Sequence, residues 1–250
     1  KIYSLNLDKN KQRPLFMTLN CNGKLIDLST PKVMGILNVT PDSFYDGGKF
    51  KNDTCFLSHA ERLINEGATF VDIGAYSSKP GADFVSETEE LNRLIPIVRL
   101  VLDAFPETPI SIDSFRCNVI NESIQAGAAM VNDISGGQLD PLMFETVGKL
   151  GVPYILMHMR GTPQTMQQMT SYANVTKEVY TYFTERIELA KKHQIKDIII
   201  DLGFGFSKTL EQNFKLLESL DFFRNLDLPI LAGISRKSMI YKTLDTSAEH

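Results

Sequence analysis

The fold predicted by the sequence is a parallel α/β barrel, one domain over residues 1–250, and three observations predict it. Seven short runs are apolar on both faces, as strands of a covered parallel sheet are. Amphipathic stretches at helical spacing separate most of them, the pattern of repeated strand–helix units. Polar residues collect where the runs end, and barrel enzymes carry their chemistry at the C-terminal ends of the strands.

The elements follow in order. Leu15–Leu19 and Lys24–Leu28 flank Cys21-Asn22-Gly23, and an Asn-Gly pair between two such runs signals a β-hairpin. It is expected to close the bottom of the barrel and to carry no chemistry. The first barrel strand is Val33–Val39 (VMGILNV), followed by a helical pattern over Phe56–Asn65 that stops near Gly67. Phe70–Ile73 precedes a helix over Glu87–Phe105, and Ile110–Ile112 precedes one over Asn118–Ala126 that ends at Gly127. Met130–Ile134 and Tyr154–Met157 follow, then the longest helical pattern, Tyr172–His193. Ile198–Leu202, a helix over Leu210–Leu220 and the run Ile230–Ile234 complete the series. The count stops at seven strands, so an eighth strand and helix are missing. Seven strands leave two edges unpaired, and residues beyond those given, a helix or a neighbouring chain are expected to complete the barrel.

The formal net charge of −4 gives no electrostatic reason to expect nucleic acid or an anionic membrane as partner. Cys21, Cys55 and Cys117 are scattered, without the spacing of a zinc site or a disulfide framework. The apolar runs are strand-length and no secretion signal leads the chain, so the cytoplasm is the expected compartment.

The rim residues are Asn38, Asp72, Asp113, Asn132 with Asp133, His158, Asp201, and Ser235-Arg236-Lys237. One aspartate after a strand is as readily a helix cap; six of seven strands aiming carboxylates, amides or bases at one rim is harder to explain that way. Asp113, Asn132 and Asp201 offer acceptors and an amide to a flat heterocycle with several N–H groups, as carboxylates do to the exocyclic amines of bases. Lys237 suits a ring carbonyl or a negative charge, and Ser238 with the helix start behind it suits an anion. The segments Thr40–Phe50 and Ser77–Phe84, rich in Gly and Pro, read as mobile lids.

Asn38-Val39-Thr40-Pro41-Asp42-Ser43-Phe44, with Asp46-Gly47-Gly48, resembles the first signature of the dihydropteroate synthases. The resemblance continues through Val71-Asp72-Ile73-Gly74, Ser111-Ile112-Asp113-Ser114, Val131 to Gly137 and Leu156 to Pro163, and ends with Asp201 to Phe206 and Gly233 to Ser238. It implies a (βα)8 TIM barrel, normally a homodimer, that condenses 6-hydroxymethyl-7,8-dihydropterin diphosphate with p-aminobenzoate in folate biosynthesis and is a sulfonamide target. By that resemblance the pterin lies against Asp113, Asn132, Asp201 and Lys237, lined by Met157 and Gly233. Phe44, Pro80, Phe206 and Lys237 frame the p-aminobenzoate slot, and Ser238 takes its carboxylate. Asn38 and Lys79 meet the diphosphate, Asn38 through a bound Mg2+, while Asp46, Lys237 and Asn38 serve the catalytic step. His158 is expected to be structural.

Lys79 stands where the family usually has arginine, keeping the charge but losing the bidentate fork. Leu202 replaces a usual proline and Ser207 a usual glycine, and nothing corresponds to the family's C-terminal Arg-x-His pair. Two alternatives follow. A non-catalytic pterin-binding relative would fit Lys79 and the missing pair. A pterin-dependent methyltransferase barrel would share the Asp–Asn–Asp set but not the Asn38–Gly48 and Ser235–Ser238 motifs.

Overall fold

The structure is a computed structural model that describes residues 2–3, 17–39, 49–76 and 84–247, with only the backbone described at 2, 3 and 49–52. Its main sheet runs through β4 (Met34–Asn38), β5 (Phe70–Gly74), β6 (Ile110–Asp113), β7 (Met130–Asp133), β8 (Tyr154–Met157), β9 (Ile198–Asp201) and β10 (Ile230–Leu231). All six pairings between these neighbours are parallel and follow chain order, as repeated right-handed strand–helix units require. Among the described residues there is no eighth parallel strand. The outer edge of β10 is instead met antiparallel by β1 (Ile2–Tyr3), pairing Ile2 with Leu231 and Tyr3 with Ile230.

Alternation along each strand sorts side chains to two sides. Val71, Ile73, Ile110, Ile112, Val131, Leu156, Ile198 and Ile200 point outward into one continuous core with the helices. That layer holds α1 (Lys49–Asn65), α2 (Glu87–Ala104), α3 (Cys117–Gln125), α4 (Met143–Leu150), α5 (Val175–Lys192) and α6 (Leu210–Glu218). Each places an apolar face on the sheet, as Val179, Phe183 and Ile187 do from α5. The opposite side chains Phe70, Met130, Ile155, Ile199 and Leu231 form a second cluster at the N-terminal end of the sheet.

That second cluster is closed from below by the hairpin of β2 (Thr18–Cys21) and β3 (Lys24–Asp27), which contributes Leu19, Cys21, Ile26 and Leu28. Asn22 and Gly23 both take positive φ, 52° and 85°, the geometry a two-residue hairpin turn needs. Asn22 Nδ2 donates to the carbonyls of Gly127 and Ala128, seating the turn on the barrel floor.

Two helices and one strand differ from the sequence reading. α4 had no counterpart in it. α1 starts at Lys49 rather than Phe56, taking in the end of the first expected lid. The last barrel strand is only two residues, Ile230–Leu231. Ile234 N–H bonds back to Ala232 O, so the run expected to reach Ile234 leaves the ladder in a tight turn.

Candidate active site

Above the apolar floor the inward side of the sheet becomes polar. In register across β4 to β7, Asn38, Gly74, Asp113 and Asn132 form one rung at the C-terminal rim. Met157 and Asp201 pair in the same way between β8 and β9. One step deeper, Asp72 faces Ser111 across β5 and β6. Asn132 Nδ2 donates to Asp72 Oδ2 at 2.9 Å. Asp72 Oδ1 and Ser111 Oγ are buried, and neither has a hydrogen-bond partner of good geometry among the described residues.

This layer holds more acceptors than donors, and its electrostatics follow. Burial pushes Asp113 well above the usual carboxylate range, and the charges of Asp72, Glu90 and Asp133 push it further. Burial also raises Asp72, with Asp201 adding to it against the Ser111 hydroxyl and the Asn132 amide. Asp201 is raised by burial, against a 2.8 Å hydrogen bond from Gly203 N–H and the charges of Lys237 and Lys208.

Two glycines border the layer. A Cβ at Gly74 would stand 3.1 Å from Asp113 Cβ, tight enough that this side chain would have to shift, whereas one at Gly233 would make ordinary contact with Asp201, 3.7 Å from Oδ2.

One flank of the layer is apolar and cationic. Met157 packs with Ile134, Met159 and Met166, and Phe206 leans on that cluster. Lys237 Nζ sits 4.5 Å from the centre of the Phe206 ring, a cation–π contact. Burial lowers Lys237, opposed by Asp201. Ser238 is exposed and opens α7 (Ser238–Tyr241), a single turn whose N-cap is Lys237. A one-turn helix has little macrodipole, so the hydroxyl and the neighbouring ammonium, rather than the helix end, are what this corner offers an anion.

Of the residues expected from the sequence, Asp113, Asn132, Met157, Asp201, Gly233, Phe206 and Lys237 therefore gather around one rim. Asn38 stands exposed at the end of β4 on the same rung. Its amide oxygen is a neutral hard donor, which fits a Mg2+ that draws its other oxygens from a diphosphate and water. Phe44, Asp46, Lys79 and Pro80 lie outside the described residues.

Other rim polar groups prove structural. Asp133 accepts from Ser135 N–H and Oγ–H, Gly137 N–H and the Tyr154 hydroxyl, binding the β7 turn to β8. His158 is buried, and its ring meets Tyr182 edge-on at 4.8 Å. The sequence reading gave no role to Asp72, although a carboxylate inside a buried strand is a signal in itself. It also passed over Lys208, buried beside His158. Lys208 follows Ser207 and precedes a helix cap, where a lysine is ordinarily solvent-facing, so nothing in the pattern marks it.

A family model described as pterin binding enzyme matches residues 34–250. Dihydropteroate synthase of Haemophilus influenzae is 44% identical over 231 residues, covering 92% of this chain and 83% of that protein. Among solved structures, the Yersinia pestis dihydropteroate synthase with a sulfonamide drug complex superposes with a TM-score of 0.85 at 42% identity, covering 93% of this chain and 85% of that one. The Xanthomonas albilineans dihydropteroate synthase with 4-aminobenzoic acid gives a TM-score of 0.84 at 39% identity, covering 91% and 81%.

Proposed function

The chain belongs to the pterin-binding enzyme family, among its dihydropteroate synthases, and we propose that Asp113, Asn132, Asp201 and Lys237 hold the pterin edge-on at the barrel rim. It is a transferase: the dihydropterin methylene is joined to the amine of p-aminobenzoate, and diphosphate leaves. The observation that carries the assignment of residues is the acceptor-rich layer of Asp72, Asp113 and Asp201, whose raised carboxyls await N–H donors. An amino-pyrimidinone edge brings those donors, which turns a costly buried cluster into a paired one.

The reaction breaks the methylene C–O bond, and the electron pair goes with the diphosphate. The aryl amine lone pair then forms the C–N bond, and the nitrogen loses a proton. Positive charge develops on the pterin as the bond breaks, and Asp113 and Asp201, whose ionised forms the N–H groups of a bound pterin would favour, stabilise it electrostatically. Lys237 stands between Asp201 and Phe206, at the junction of the pterin site and the slot assigned to p-aminobenzoate. Phe206 forms a wall of that slot, and Ser238 with Lys237 receives the carboxylate. No side chain has to take a proton in the bond-breaking step, so positioning supplies much of the rate. Asn38 would hold Mg2+, which when bound neutralises charge on the leaving diphosphate. By their motifs alone, Phe44 and Pro80 are assigned to the same slot, Lys79 to the diphosphate and Asp46 to the catalytic step.

Two further readings, of compartment and of oligomeric state, accompany this one. Among the described residues no helix is long and apolar enough to cross a membrane. Cys21, Cys55 and Cys117 are free, which supports a reducing compartment such as the cytoplasm. A homodimer is supported by exposed apolar side chains in this region, Leu210 at the start of α6 and Phe222 beyond its end, and by a hollow on α6 lined in part by Phe214 and Leu217.

Calorimetry with a dihydropterin tests the pterin assignment. Asp113→Ala is expected to weaken binding by about 1–3 kcal/mol, the cost of an unmade buried hydrogen bond. An affinity within about twofold of the parent would remove Asp113 from the site.

A further inference from the structure

Lys208 is a buried amine that the reaction does not use. Its Nζ lies 2.9 Å from His158 Nδ1, 3.0 Å from Gly203 O, 3.0 Å from Phe206 O and 3.3 Å from His158 O. It therefore joins the end of β8 to the turn between β9 and α6.

Phe206 N–H closes that turn on Gly203 O at 3.0 Å and Gly205 N–H bonds to Asn213 Oδ1 at 2.7 Å, but its backbone is unusual. Gly203, Gly205 and Ser207 all lie in the left-handed region, at φ 65°, 82° and 47°. Ser207 takes a conformation that side chains avoid, and its hydroxyl is tied to Arg160 N–H at 2.9 Å. Gly203 presses on β8 so closely that a Cβ there would fall 2.1 Å from His158 O. Phe206 leaves this turn to meet Lys237, and its own carbonyl is one of the Lys208 acceptors.

We propose that Lys208 is a positioning residue for the aryl-amine half of the reaction, its ammonium clamping the 203–207 turn in the form that presents Phe206 to Lys237. This rests on the reading of Phe206 as a wall of the p-aminobenzoate slot.

The clamp is sensitive to protonation. Four acceptors surround the amine, and an ammonium has three N–H bonds to share among them, a neutral amine two. The charged groups facing it are Asp201 from β9, which favours the ammonium, and Lys237 and Arg160, which oppose it. His158 is kept neutral by burial and by the Lys208 charge itself. Burial outweighs Asp201 and brings Lys208 down to about 7. The full clamp is thus present below neutrality and loosens as pH rises.

Steady-state kinetics of the whole enzyme test this, with each substrate varied across about pH 6 to about pH 8.5. In the parent, KM for p-aminobenzoate is expected to rise roughly fivefold with pH, the equivalent of one hydrogen bond, while KM for the dihydropterin diphosphate stays within about twofold. Lys208→Met is expected to show the raised p-aminobenzoate KM at every pH, with the step gone. A parent profile without the step overturns the proposal even where Lys208→Met does not fold. So does a Lys208→Met enzyme that keeps the step, or one that loses both substrates equally. Phe206→Ala separates the two readings. If it leaves KM for p-aminobenzoate unchanged, the slot assignment falls and the proposal with it. If it raises that KM while the parent profile is flat, the Lys208 proposal alone falls.

Discussion

Arg116 and Glu90 lie near Asp113, where the chain leaves β6 for α3 and enters the first turn of α2. Glu90 is 1% exposed, and one Arg116 nitrogen pairs with its Oε2 while another donates to Val85 O at 2.7 Å. The guanidinium also lies 5.5 Å from the Tyr76 ring, 5.4 Å from Phe115 and 5.7 Å from Phe84. One cation therefore fastens residues on both sides of 77–83. Burial raises Glu90, and the Ser114 hydroxyl and Arg116 hold it down. Removing Arg116 leaves a buried carboxylate without its partner, a change that costs about 3–5 kcal/mol when such a pair is broken. Glu90 in Arg116→Ala would have a folded pKa raised further above its unfolded value. Its penalty is then absent at low pH and grows as pH rises through that folded value. Urea unfolding of Arg116→Ala is expected to show a deficit of about 3 kcal/mol near neutrality, shrinking towards acid and largely restored by adding Glu90→Gln. A small deficit that does not change with pH would contradict this.

At the scale of elements, the strands were legible because a sheet covered on both faces leaves no choice of side chain. Phe70–Ile73 and Ile198–Leu202 read as strands, and β5 and β9 form there with ends that differ by one residue. The two-sided pattern says little about where a ladder stops, which is why Ile230–Ile234 was read three residues too long. α4 was illegible for a different reason. It is only eight residues, its N-cap Leu142 makes no side-chain cap, and Gly148 lies inside it. Tertiary packing explains that glycine: a Cβ at position 148 would stand 1.8 Å from His193 O, at the end of α5. The two effects have opposite signs. Helix propensity alone favours alanine over glycine by about 1 kcal/mol, whereas overpacking costs roughly 1–3 kcal/mol. Gly148→Ala is expected to lower the melting temperature, and a rise would show that α4 and α5 do not pack as described. The site shows the same division. Asp113, Asn132, Asp201 and Lys237 are legible as polar ends of apolar runs, while Lys208 and Arg116 act through partners 50 and 26 positions away in sequence, which no local pattern records.

The whole molecule is an apolar floor closed by a hairpin, an acidic rung above it, and a cationic and aromatic flank beside Asp201. This order follows from a single alternation along the strands: one inward position in each points into the floor and the next into the rim. A pterin ring with its several N–H groups suits the rung, and an aryl carboxylate suits the flank. The two substrates would then meet beside Lys237 with the diphosphate directed to the Asn38 side. The most direct measurement is diphosphate release by the complete gene product supplied with dihydropterin diphosphate, Mg2+ and p-aminobenzoate. Release that requires p-aminobenzoate and yields dihydropteroate in equal amount is the predicted result; pterin binding without any p-aminobenzoate-dependent release would contradict it.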